Sequence, residues 1–108
     1  MRFIETSIFT REVEKFLSDE EYRSLQLALV FRPDQGKLIP DSGGLRKLRW
    51  GFPGKGKRGG CRVIYFWDKP EDIIFMLLIY SKSKQEDLTS EQLRMLKRLI
   101  QGEFYGKK

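Results

Sequence analysis

Seven cations, Arg46, Lys47, Arg49, Lys55, Lys57, Arg58 and Arg62, fall between Asp41 and Asp68, an interval of 26 residues with no acidic side chain. The net charge of the chain is +6, and outside this interval fourteen basic residues face fifteen acidic ones, so the whole excess sits in one place. Charge spread over a surface serves solubility, whereas charge gathered in one stretch is the footprint of a polyanion site. The interval also contains GFPGKGKRGG, Gly51 to Gly60, which comes within one residue of one phosphate-binding pattern and matches another. From Gly51 it is G-x-x-x-x-G-K with Arg58 where a P-loop needs Ser or Thr, and from Gly54 it completes G-x-G-x-x-G. Both patterns seat phosphate on the unpaired N–H groups of a helix N-terminus. The residues that follow, Cys61-Arg-Val-Ile-Tyr-Phe-Trp67, are β-branched and aromatic and predict a strand. The glycine stretch is therefore expected to be a hairpin connection that presents Lys55, Lys57 and Arg58 to phosphate, not a nucleotide loop.

Other chemistries lack their residues. With no histidine in the chain, a Ser-His-Asp triad, a histidine acid/base pair and most zinc sites are excluded. Pro33-Asp34 could begin a P-D…(D/E)-x-K nuclease site, but no Asp or Glu is followed two residues later by Lys, and no metal or other cofactor is expected. The lone Cys61 has no histidine to activate it and reads as a small buried strand residue. One metal-free reaction suits clustered cations, the cleavage of RNA by its own 2′-hydroxyl. The protein must then help deprotonate that hydroxyl, stabilise charge on the phosphorus-centred transition state and protonate the departing 5′-oxygen. Arginine suits the second task, because its planar fork is always charged and holds two oxygens. Lysine suits the first or third only where surrounding positive charge loosens its proton, and the interval crowds charge in that way.

These side chains need elements to aim them, and 108 residues suffice for one domain, residues 1–108, with a core that needs no disulfide or metal. Phe3 to Phe9 alternates weakly and predicts a first strand, with Thr10 capping a short helix through Leu17. Ser18-Asp-Glu-Glu21 is a capping box, stapled by Leu17 and Tyr22, for a second helix that lays Tyr22, Leu25, Ala28 and Leu29 on one face and ends at Arg32-Pro33. Residues 33–44 read as loop. Leu45-Arg-Lys-Leu-Arg-Trp50 is a second strand, in which Leu48 and Trp50 share one face while Lys47 and Arg49 project from the other, about 7 Å apart. On the third strand Arg62 shares the face of Ile64 and Phe66, where an arginine is costly unless paired. Ile73 to Tyr80 is apolar on both faces and predicts a central strand. Thr89-Ser-Glu-Gln92 caps a last helix bearing Leu93, Leu96, Ile100 and Phe104 on one face. The order β-α-α-β-β-β-α gives an α+β fold, a small mostly antiparallel sheet packed by helices. The charged N-terminal stretch and the single cysteine predict a cytoplasmic protein, and no apolar run has the length of a membrane span.

This order resembles a known family, and so do G-G-L-R-K-L-R from Gly43, G-K-G-K-R-G-G-C-R-V-I-Y from Gly54 and I-Y-S-K-S-K-Q-E-D-L from Ile79. The chain is similar over nearly its whole length to RelE/HigB-type toxins. The resemblance implies the toxin of a toxin–antitoxin pair, a metal-independent endoribonuclease that cuts mRNA at the ribosome and is held inactive by an antitoxin, expected to be of helix-turn-helix type. By position it implicates Lys47, Arg49 and Arg62 in catalysis and Lys55 and Lys57 in RNA binding, with Arg46 and Arg58 beside them. Where many members have an arginine near the end of the fourth strand, and beyond it a tyrosine or histidine suspected in proton transfer, this chain has Lys82 and Lys84, preceded by Tyr80. The acid/base assignment stays open, and Tyr65 and Tyr80 read as core aromatics in the first instance. Two alternatives remain, a gyrase-inhibiting toxin of the ParE branch and a non-catalytic RNA-binding module. The second would ordinarily display exposed paired aromatics, which these apolar strands do not offer.

Overall fold

The computed structural model describes residues 1–51 and 60–105, with the side chains of the last three excepted. Its strands are β1 (Arg2–Glu5), β2 (Lys37–Leu38), β3 (Leu45–Trp50), β4 (Cys61–Asp68) and β5 (Ile73–Ser81). Its helices are α1 (Ser7–Val13), α2 (Asp19–Phe31) and α3 (Ser90–Arg98), and a π-helical segment, Leu99–Tyr105, continues α3. The strands form one sheet in the order β1-β5-β4-β3-β2, with β1 parallel to β5 and all other pairs antiparallel. This is the expected α+β fold with one strand more, since Lys37 and Leu38, expected in a loop, pair with Lys47 and Arg46.

The chain enters its first helix earlier than expected. The first strand stops at Glu5, and Thr6, not Thr10, is the N-cap, accepting from the Phe9 amide at 3.0 Å. The same hydroxyl donates to the Leu77 carbonyl at 2.9 Å, so the cap also ties α1 to the central strand. Ile8 and Phe9, read as strand alternation, instead lie on a helix whose Phe9 and Val13 are buried. The other two starts form as their sequences dictate. Ser18 and Glu21 close one capping box and Thr89 and Gln92 another, each satisfying amides that would otherwise lack partners.

The sheet has helices on both faces. Phe9 and Val13 of α1 and Leu25 and Leu29 of α2 pack on Leu48, Cys61, Val63, Tyr65, Ile74 and Met76. Leu96 of α3 and the following Ile100 pack on Leu45, Ile64, Phe66, Phe75 and Leu77. Each such side chain contributes about 1.5–3 kcal/mol by leaving water, and α3 is held in this way at its otherwise polar surface. The alternation along β5 breaks once. Ile64 pairs with Leu78 but Tyr65 pairs with Met76, so Leu77 is an extra residue, a β-bulge. Leu77 and Leu78 consequently both face α3, while Met76 and Ile79 face the other helices. Beyond the bulge every side chain of β5 is on the face opposite to the one that uninterrupted alternation from Ile74 and Met76 would give it.

Candidate functional site

The bulge assembles the site. Had β5 alternated without interruption, Tyr80 would share the face of Ile74 and Met76; it lies instead with Phe75 and Leu77, on the face that carries Arg62. In the register, Arg49 is directly opposite Arg62, and Arg62 is directly opposite Tyr80. Three strands thus place Arg49, Arg62 and Tyr80 in one row across the sheet. Opposed residues have Cβ atoms about 4.5–5.5 Å apart, and like charges so placed repel. Arg62 is moreover only 5% exposed. Arg49 is exposed, so the pair sets one buried and one solvent-facing arginine side by side, an arrangement suited to receiving an anion.

Lys47 lies on the same face, two residues before Arg49, and its Nζ donates to Asp87 Oδ1 at 2.9 Å. Asp87 comes from the segment between β5 and α3, and the ammonium beside it holds its carboxyl below the usual range, with a smaller contribution from Arg62. Arg62, for which the sequence offers no nearby acidic neighbour, therefore has one at a separation of 25 residues. Tyr80 is 7% exposed, and among the described residues its hydroxyl has no hydrogen-bond partner. Burial raises the pKa of this phenol, the Asp87 charge raises it further, and Arg62 opposes the shift.

The remaining cations are distributed otherwise. Arg46, next to Lys47, alternates to the α1/α2 face, where Nη1 donates to the carbonyl oxygens of Asp34 at 3.0 Å and Gly36 at 2.7 Å. That guanidinium pins the loop entering β2, away from the row. Lys82 and Lys84 are exposed in the turn that follows β5, where the Lys84 amide donates to the Ser81 carbonyl. Lys55, Lys57 and Arg58 lie outside the described residues, in the segment that joins Trp50 to Cys61. Gly60, at the end of that segment, has φ +70°, and a Cβ there would overlap the Trp50 carbonyl oxygen, so the turn into β4 requires glycine. Cys61 is buried, which pushes its thiol up to about 11 and keeps it protonated, in line with a packing role.

Two members of the cluster, Asp87 and Tyr80, were not marked as site residues by spacing. Asp87 sits in a polar run without a distinguishing neighbour, and the face of Tyr80 depends on a bulge inside an unbroken apolar strand. Among the described residues no three His, Cys, Asp or Glu side chains lie together as a metal site would require. A groove of about 450 Å³ runs between β1, β5 and α3, but it is lined by Ile4, Ile8, Leu77, Met95 and Leu99 with few polar groups and none of the cations. Its one carboxylate, Glu5, is engaged by the hydroxyls of Tyr22 and Thr10.

An α+β domain of this kind has known counterparts. A family model described as the RelE toxin of the RelE/RelB toxin–antitoxin system matches residues 1–105, and the chain belongs to that family. A free-state structure of the E. coli toxin RelE, carrying two arginine-to-alanine substitutions, matches with a TM-score of 0.61 at 13% identity. The match covers 88% of this chain and 96% of that one. At that identity the likeness establishes the fold. Family membership makes the protein the toxin of a toxin–antitoxin pair and implies a cognate antitoxin. Among the described residues no helix is long and apolar enough to cross a membrane.

Proposed function

We propose that the protein is a metal-independent endoribonuclease that cleaves mRNA, on the ribosome and in the cytoplasm, by attack of the substrate's 2′-hydroxyl. The observation that carries this reading is the Arg49–Arg62 pair, two guanidinium groups opposed across a ladder with Arg62 buried. Such a pair is suited to the doubly charged phosphorane-like transition state, with Arg62 as the preorganised donor held out of water and Arg49 at the exposed side. Lys47 extends the positive row, and Lys55, Lys57 and Arg58 would track the RNA backbone. Lys82 and Lys84, in the turn after β5, are the candidates to move the protons of the 2′- and 5′-oxygens. An antitoxin of helix-turn-helix type would hold the toxin inactive.

The test is cleavage of ribosome-bound mRNA in excess EDTA. The expected products end in a 2′,3′-cyclic phosphate or the 3′-phosphate made by its hydrolysis, and a deoxyribose at the cut site abolishes them. Activity lost in EDTA and restored by magnesium would refute the mechanism. Intact RNA together with gyrase-dependent DNA breaks would place the protein in the ParE branch instead.

A further inference from the structure

We propose that Tyr80 is a catalytic hydrogen-bond donor, its hydroxyl contacting the scissile phosphate that Arg62 holds. This rests on the endoribonuclease reading and adds to it a neutral donor that charge and spacing do not reveal. Three observations carry it. The hydroxyl is buried, on a side chain 7% exposed, and has no partner among the described residues. Its residue is the direct cross-strand partner of Arg62. It reaches that face only because Leu77 is inserted as a bulge, a device that re-aims side chains next to functional sites.

The other buried tyrosine of the sheet shows what a structural phenol looks like in this protein. Tyr65 donates to the Pro33 carbonyl at 2.7 Å and accepts from the Gly36 amide at 2.9 Å, so both of its hydrogen-bonding capacities are used. Tyr80 is buried as well and, among the described residues, makes neither bond. A phenylalanine would fill the same space without bringing a polar atom into it, so packing alone does not account for the oxygen. Burial and the neighbouring Asp87 favour the protonated phenol, which fits a donor and does not fit a base. A phosphate oxygen held by Arg62 accepts that hydrogen bond, and it has most to gain when charge accumulates on it in the transition state.

The experiment compares Tyr80→Phe with wild type in single-turnover cleavage of ribosome-bound mRNA, in binding of the RNA product with a 3′-phosphate against the same oligonucleotide ending in a 3′-hydroxyl, and in thermal melting. Tyr80→Phe should lower the cleavage rate about 10²-fold, reduce the preference for the phosphate end several-fold, and melt at or above the wild-type temperature. Tyr65→Phe is the converse control, melting lower while cleaving normally. If Tyr80→Phe cleaves at the wild-type rate with the same phosphate preference, the assignment is wrong while the nuclease reading stands. A variant melting far below wild type would make the hydroxyl a structural anchor and equally overturn the assignment. If wild type neither cleaves RNA nor distinguishes the two ends, the nuclease reading itself fails and the donor role falls with it.

Discussion

The two faces of one sheet treat the same residue types in opposite ways. On the face under α1 and α2, Arg46 and Tyr65 are absorbed into structure: Arg46 binds two carbonyl oxygens and Tyr65 holds both ends of the segment from Pro33 to Gly36. On the other face, beyond the apolar area covered by α3, Arg62 opposes Arg49 and the Tyr80 hydroxyl has no partner among the described residues. Neither arrangement follows from residue type, since two arginines of β3, Arg46 and Arg49, and two buried tyrosines, Tyr65 of β4 and Tyr80 of β5, are divided between them. For Arg46 and Tyr65 the difference is made by a loop that lies against their face and supplies the acceptors. An unsatisfied buried hydroxyl costs about 1–3 kcal/mol, so Tyr80 retains its oxygen at a cost that an outside anion on the other face can remove.

The largest expected effect breaks the charged side of this comparison. Arg62→Ala should reduce RNA cleavage about 10³-fold and abolish toxicity on induced expression, while the purified variant keeps its melting transition and its antitoxin complex. Removing Arg62 also removes its repulsion with Arg49, which offsets part of the packing loss. Arg62→Lys should recover little, because an ammonium keeps the charge without the fork. Arg23→Ala, a cation lost from exposed α2, should remain toxic. A toxic, active Arg62→Ala would remove the row from the mechanism.

The structural side breaks differently. A Cβ at Gly36 would meet the Tyr65 ring at 2.8 Å and its hydroxyl at 2.9 Å, in the very contact that closes the β2 loop. Gly36→Ala should therefore destabilise by about 1–3 kcal/mol, read as a lower denaturant midpoint, and leave the cleavage rate of the folded protein unchanged. If cleavage falls in proportion to that of Arg62→Ala, the two faces are not independent.

The glycine loop sharpens the comparison more gently. With about five phosphates contacted, log affinity for single-stranded RNA should fall against log salt with a slope of about −3.5, and Lys55→Ala or Lys57→Ala should each make it shallower by about 0.7. Loss of phosphate contacts weakens affinity more than turnover, the reverse of Arg62→Ala. An unchanged slope would assign the loop to a protein partner.

Much of this division was legible in the residue pattern. Leu45 to Trp50 and Cys61 onward read as strands because their β-branched and aromatic content and alternation agree, and that alternation put Lys47 with Arg49 and Arg62 with Ile64 and Phe66, while the register that joins the two sets came only with the structure. The capping boxes at Ser18 and Thr89 fixed two helix starts through chemistry local to four residues. The pattern failed where the deciding contact is distant. Thr6 became the first N-cap through its tie to Leu77, and Lys37 and Leu38 became a strand through β3. The face of Tyr80 was hidden because Ile73 to Tyr80 is apolar throughout: a bulge shows in sequence as a break in alternation, and an unbroken apolar run has none to break. Asp87 joined the site only through the path of the chain after β5.

That carboxylate gives the smallest effect and the finest test of the division, because it behaves on the open face as Asp34 and Gly36 behave on the closed one, as an internal acceptor for a cation. Its carboxyl is held low by Lys47, so the pair's contribution to stability is fully present above the unfolded carboxylate range and is lost as pH falls through the lower folded-state value. The Asp87 side chain is 69% exposed, which screens the pair, so Asp87→Asn should shift the melting temperature by no more than about 1 °C at neutral pH, and the difference from wild type should vanish in acid. RNA should register the change more clearly than stability does. With the competing carboxylate gone, Lys47 is released to phosphate, the affinity should rise several-fold at low salt, and the salt slope should steepen by about 0.7. The gain should disappear in the double variant Lys47→Ala/Asp87→Asn. A gain that survives there would mean that Asp87 acts on RNA by repulsion alone, and Lys47 would then belong with the residues that hold the fold together.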